Sequence, residues 1–134
     1  MTRLYKQKPI VYDIFDLEET KCLASKYTAE CLKDDYPKFE LSDLDSDENL
    51  NNYNLCISNY AFSELSRDIQ YDYINNVLLK SDNIYMHYNH VSNEFNIDSM
   101  SVYELKEILE ENNYQVDISD EEVETHPKNK VLLA

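Results

Sequence analysis

Residues 53–65 read YNLCISNYAFSEL. The first half, Tyr53 to Ser58, has the apolar and β-branched content of a buried strand. From Phe62 onward the spacing changes: Phe62, Leu65, Ile69, Tyr73 and Val77 recur every three or four residues, which predicts one long helix running to about Lys80. Between the two lies a polar, aromatic corner, Ser58-Asn59-Tyr60. A strand that breaks into a helix through such a corner is one step of an alternating α/β chain.

The remaining segments extend that alternation. Ile10 to Phe15, in KPIVYDIFD, predicts a strand closing on Asp16. From Leu17 to about Lys33 the positions Leu23 or Ala24, Tyr27 and Cys31 form a helical stripe. KFELS, ending at Ser42, is a short strand, and DLDSDENLNN is an acidic connection. NIYMHYN, residues 83–89, reads as a strand. SVYELKEILEEN opens with Ser101 and has Glu104 three residues later, a capping-box pattern followed by Leu105, Ile108 and Leu109. YQVDIS and NKVLLA supply two more strands on either side of Pro127. The predicted order is β-α-β-β-α-β-α-β-β. It argues for a mostly parallel sheet covered on both faces and closed by a C-terminal antiparallel hairpin.

Length and charge narrow the classes. The 134 residues are enough for a single domain with a moderate core. A net charge of −15 repels phosphate backbones and anionic bilayers, so neither nucleic acid nor membrane is expected as a partner. No apolar run has the length of a membrane span or a secretory signal. Three cysteines, Cys22, Cys31 and Cys56, form no CxxC pair, and read as reduced residues on buried faces of a cytoplasmic protein. Glycine is absent altogether, against about 7% in ordinary chains. Glycine-rich phosphate loops and nucleophile elbows are excluded as written.

No metal site is expected. Asp43, Asp45, Asp47, Asn49 and Asn51 imitate an EF-hand loop, yet Glu48 stands where that loop needs glycine and Asn54 where it needs a bidentate glutamate. His87 and His90 lack a third ligand at suitable spacing. Cys56, inside an apolar strand, reads as core and not as a nucleophile. Polar groups instead gather where open α/β sheets bind ligands, just past the strands. Asp16 and Asp43 each follow a strand, as do Asn59-Tyr60 and Tyr88-Asn89. A carboxylate there can accept two hydrogen bonds from a ribose diol, or, as Asp16 equally could, cap the next helix.

CISNYAFSELSRDIQYDYINNVL resembles a motif of sugar O-methyltransferases, a branch of the Rossmann-like, S-adenosylmethionine-dependent methyltransferases. YDIFDLEETKCLASKY resembles that family's second strand and following helix, with Glu18 where proline is usual. NIYMHYNHVS resembles its strand ending in a tyrosine-asparagine pair, and EEVETHPKNKVLLA its final hairpin, with Glu124, Thr125 and Asn129 at matching places. The resemblance runs from about Lys8 to the end. It implies a sheet of order 3-2-1-4-5-7-6, with S-adenosylmethionine lying across the carboxyl ends of the strands. Asp16 would then hold the ribose hydroxyls, Asp43 or its loop would lie near the adenine, and Ser58, Asn59 and Tyr60 would line the cleft shared with a sugar or glycan acceptor. Glu64 or His126 would contact the sugar or take its hydroxyl proton.

The family's first βα unit, with its glycine-rich loop, has no counterpart here. The chain is therefore expected to be the later portion of such an enzyme, with the strands ending at Asp16 and Ser58 closing up, or the missing pairing supplied by an N-terminal portion or by another copy. The alternative is a non-catalytic remnant serving as an interaction or oligomerisation module.

Overall fold

The computed structural model describes residues 11–32, 38–41, 52–90, 92, 95–122 and 126–134. Its contacts divide the chain into two compact units, Met1–Glu48 and Asn49–Ala134. In the first unit, β1 (Val11–Ile14) and β2 (Lys38–Leu41) pair in parallel through the helix α1 (Glu18–Leu32). Two acidic residues, Glu18 and Glu19, occupy the first turn of α1, where the helix dipole favours them. The expected α1 stripe is not its buried face: Leu23, Tyr27 and Cys31 are exposed, while Lys21 is buried with its ammonium 3.1 Å from Glu18. A buried lysine stem can cover apolar surface as a leucine does, and periodicity of apolar residues cannot see it.

The second unit holds β3 (Cys56–Asn59), α2 (Arg67–Asn76), β4 (Ile84–Tyr88), α3 (Val102–Glu111), β5 (Asp117–Asp120) and β6 (Lys130–Leu133). Its sheet has the order β3-β4-β6-β5. β3 and β4 run parallel, whereas β6 runs antiparallel to both β4 and β5. The expected closing hairpin is present, but its second strand inserts beside β4. The sheet is mixed, not mostly parallel.

Strand alternation assigns the two faces. Ile84, Met86 and Tyr88 of β4 are buried together with Leu132 of β6, Ile74 of α2 and Leu105 and Leu109 of α3. Each such side chain contributes roughly 1.5–3 kcal/mol on burial. Both helices thus pack on one face. The opposite face carries Ile57, Tyr85 and Leu133, with Ile57 58% exposed, so the coverage of both faces expected from a parallel sheet is not found for this sheet. None of the described helices is long and apolar enough to cross a membrane.

The long helix expected over residues 62–80 is broken. Ala61–Glu64 form a 3-10 turn, Leu65 and Ser66 are extended, and α2 begins at Arg67. Ile69, placed on the apolar stripe, is 41% exposed, and its neighbour Gln70 is fully buried. The reason is polar. Gln70 Nε2 donates to the Phe62 carbonyl (2.8 Å) and to Ser99 Oγ (2.9 Å), and Gln70 Oε1 accepts from Met100 N–H (2.7 Å). One amide therefore satisfies backbone groups of two loops that no regular element could serve.

The capping box at α3 forms as expected. Glu104 N–H donates to Ser101 Oγ (3.2 Å), and Ser101 N–H donates to Glu104 Oε2 (2.7 Å). Arg67 adds a bond to the same carboxylate (2.9 Å). Hydrogen bonding from the Ser101 backbone, then from Arg67 and the Ser101 hydroxyl, holds the Glu104 carboxyl well below its usual range, at about 2.

Gln70→Leu keeps the volume but strands the Phe62 carbonyl and Met100 amide. It is expected to lower stability by about 2–4 kcal/mol in urea denaturation. A loss under about 0.5 kcal/mol would show that these bonds do not organise the loops.

Candidate functional site

The site lies at the carboxyl ends of β3 and β4. Because β6 is antiparallel to β4, with Lys130 opposite Tyr88, the start of β6 lies at the same rim. Asp120 pairs with Lys130, so the end of β5 lies there too. Four strand ends meet on one edge of the second unit.

The corner leaving β3 is sharply bent. Tyr60 has φ 68° and ψ −31°, a left-handed conformation that costs a non-glycine residue roughly 1–2 kcal/mol. Among the described residues the other two with positive φ are Asn96 and Asn113, a residue type that tolerates this region. In a chain without glycine the corner is made by tyrosine, and its surroundings hold it. Tyr60 N–H continues the β3–β4 ladder to the His87 carbonyl (2.9 Å). Ser63 Oγ donates to the Tyr60 carbonyl (2.7 Å), and Ser58 Oγ accepts Phe62 N–H (3.1 Å), capping the 3-10 turn.

The Tyr60 hydroxyl donates to Glu121, whose side chain is only 3% exposed. His87 Nδ1 lies 3.0 Å from the same Oε1, and Asn129 Nδ2 donates to Oε2 (3.3 Å). A carboxylate only accepts, so Nδ1 of His87 donates to Glu121, and Nε2 lies 2.7 Å from the Tyr85 hydroxyl on its other side. Both Tyr60 and Tyr85 meet the imidazole edge-to-face, with centroids 5.6 and 5.3 Å away. The network thus runs from the corner of β3 across β4 to the approach of β6.

A second network continues along the rim. The buried Ser63 hydroxyl meets Asn89 Oδ1 (3.1 Å) and accepts Asn89 N–H (3.1 Å). Asn89 Nδ2 in turn donates to Glu64 (2.5 Å). This leaves Glu64 exposed but held in orientation by Asn89. His126 is exposed, with Nδ1 accepting Lys128 N–H (3.3 Å).

The structure therefore brings Ser58, Asn59, Tyr60, Glu64 and His126 onto one unit, with Asn59 exposed at the end of β3. Asp16 belongs to the other unit, where it is exposed and its Oδ1 accepts Leu17 N–H (2.7 Å) at the entry to α1. Asp43, and with it the acidic Asp45 and Asp47 loop, lies outside the described residues, as do Glu124 and Thr125. Local sequence patterns do not single out Glu121 or Tyr85, and they offer His87 only as a zinc ligand. Glu121 follows a strand as Asp16 does, so the strand-end rule already applied to Asp16 reaches it. Among the described residues no group of three His, Cys, Asp or Glu side chains could hold a metal ion. A concavity of about 600 Å³ lies at the opposite end of the sheet, between Ser81-Asp82, Tyr114 and Ala134.

All three cysteines are free, as expected of reduced residues, but Cys22 and Cys31 are exposed and only Cys56 is partly covered. No protein family, curated protein or solved structure was found to match the chain.

Burial pushes the Cys56 thiol up to about 11, so it stays protonated and poorly nucleophilic at neutral pH. Ellman titration of the folded chain at pH 7.5 is expected to show two fast thiols and one slow one. Cys56→Ser would remove the slow phase. Fast reaction of Cys56 would show that β3 opens readily.

Proposed function

We propose that this chain provides the later part of a methyltransferase fold and serves S-adenosylmethionine-dependent methyl transfer to a sugar hydroxyl. The observation that carries the reading is the strand order. β3-β4-β6-β5, with β6 antiparallel between its neighbours, follows the 4-5-7-6 half of the order implied by the resemblance. The parallel pair β1–β2 follows neighbours 2 and 3 of that order.

The residues present suit part of the cofactor. On the first unit, Asp16, exposed after β1, can accept hydrogen bonds from a ribose diol. The glycine-rich loop for the methionine end has no residues among these 134 and comes from elsewhere in the working enzyme. Bound S-adenosylmethionine supplies an electrophilic methyl group. The chain's own part is to orient the acceptor and to take its proton. Glu64, fixed by Asn89, is the side chain placed to accept that proton, while the Tyr60 corner and its buried Glu121 keep the rim rigid.

An interaction module is the second reading. It is favoured by the exposed Leu55, Ile57 and Leu133 on the open face of the sheet and by the edge position of β3.

Calorimetry with S-adenosylhomocysteine separates the two. The methyl-transfer reading predicts weak saturable heat, with a dissociation constant of about 1 mM or tighter, lost in Asp16→Ala. Absence of heat at several times about that concentration, together with light scattering that grows with protein concentration, would favour the module.

A further inference from the structure

Resting on the methyl-transfer reading, we infer that the acceptor is a monosaccharide carrying an anionic group, bound in a cavity beside the Glu64 rim. The cavity measures about 330 Å³ and lies where the end of β4, the start of α3 and the approach to β6 converge. Small-molecule pockets range from roughly 300 to 1,000 Å³, so this one suits a single sugar ring and not a nucleotide.

Its lining departs from the rest of the chain. Asp and Glu make up 27 of the 134 residues, yet among the described residues none lines this cavity, while Lys128 and Lys130 both do. Lys130 is paired with Asp120, which leaves Lys128 as the main cation presented to a ligand. The first turn of α3, at Val102 and Tyr103, borders the same space, but Glu104 already caps that helix end, so the positive charge comes from the lysines. In a chain of net charge −15, a lining with lysines and, among the described residues, no carboxylate repels an anion less than an acidic surface does.

Hydroxyl-bearing residues complete the lining. Ser92 and Ser99 place hydroxyl groups along it, and the Tyr103 ring, 59% exposed, offers an apolar face to the C–H face of a sugar. Asn89, which also lines the cavity, is the residue that orients Glu64. Glu64 does not itself line the cavity; a ring seated there is separated from it by Asn89 and has its anionic substituent near Lys128.

The test is a titration of the full chain, followed by nitrogen-15 NMR, with glucuronate, glucose 6-phosphate, glucose and inorganic phosphate. The inference predicts that an anionic sugar binds at least about tenfold tighter than glucose. Whichever of glucuronate and glucose 6-phosphate binds more tightly identifies the anionic group. Lys128→Gln, at an exposed position, is expected to cost that sugar about tenfold and to leave glucose unchanged. Tyr103→Ala should weaken all the sugars. Equal binding of glucose and both anionic sugars, competition by inorganic phosphate as strong as theirs, or no shifts with any sugar would overturn it. Binding of S-adenosylhomocysteine without any sugar would sink this inference alone. Sugar binding without S-adenosylhomocysteine would sink the transfer reading and leave the cavity's ligand standing.

Discussion

A carboxylate cannot be taken out of water without donors to replace it, and Glu121 sits beyond the last residue of β5 with almost no exposure. Its donors come from three other places in the chain: Tyr60 after β3, His87 within β4 and Asn129 before β6. They meet on this rim because β6 lies between β4 and β5, with its start and the end of β5 beside the end of β4. The sheet order and the buried acid therefore support each other. The same acid holds the Tyr60 side chain, which compensates for the left-handed backbone of a corner made without glycine. Strain of this kind persists only where the surroundings over-determine it.

The sequence showed the elements whose causes are local. The capping box of α3 is carried by Ser101 and Glu104, three residues apart, and it forms as expected. β4 alternates Ile84, Met86 and Tyr88 inward, as its pattern implies. What escaped was set by distant partners. The break at Leu65-Ser66 follows from Gln70 turning inward to bonds with Phe62, Ser99 and Met100, so a polar residue took the place a periodic reading gave to Ile69. Periodicity alone read a mostly parallel sheet, because β6 pairs with β4 across more than forty positions of the chain, a choice no local signal encodes; the order implied by the resemblance already set the last strand there. α1 misled for a related reason, since Lys21 and not Leu23 is its buried side chain.

The candidate site divides in the same way. Its place at the strand ends could be read from Ser58, Asn59, Tyr60 and Asn89, each following an apolar run. Glu64 was legible as a carboxylate close behind them. His87 was visible as a residue, but its partner Glu121 lies 34 positions away, so only the folded sheet makes the pair. Under the proposed reading, the absence of glycine leaves the cofactor's methionine end to residues outside these 134, and Lys128 and Lys130 line the cavity assigned to the acceptor.

The central claim is that Glu121 and Tyr60 lock the rim together. A double-mutant cycle tests it most directly, with Tyr60→Phe, Glu121→Gln and the double variant compared by urea denaturation. The account predicts a coupling of about 1.5–3 kcal/mol, the range for a hydrogen bond to a charged group. Additivity within about 0.5 kcal/mol would contradict it, because the corner would then stand without the acid.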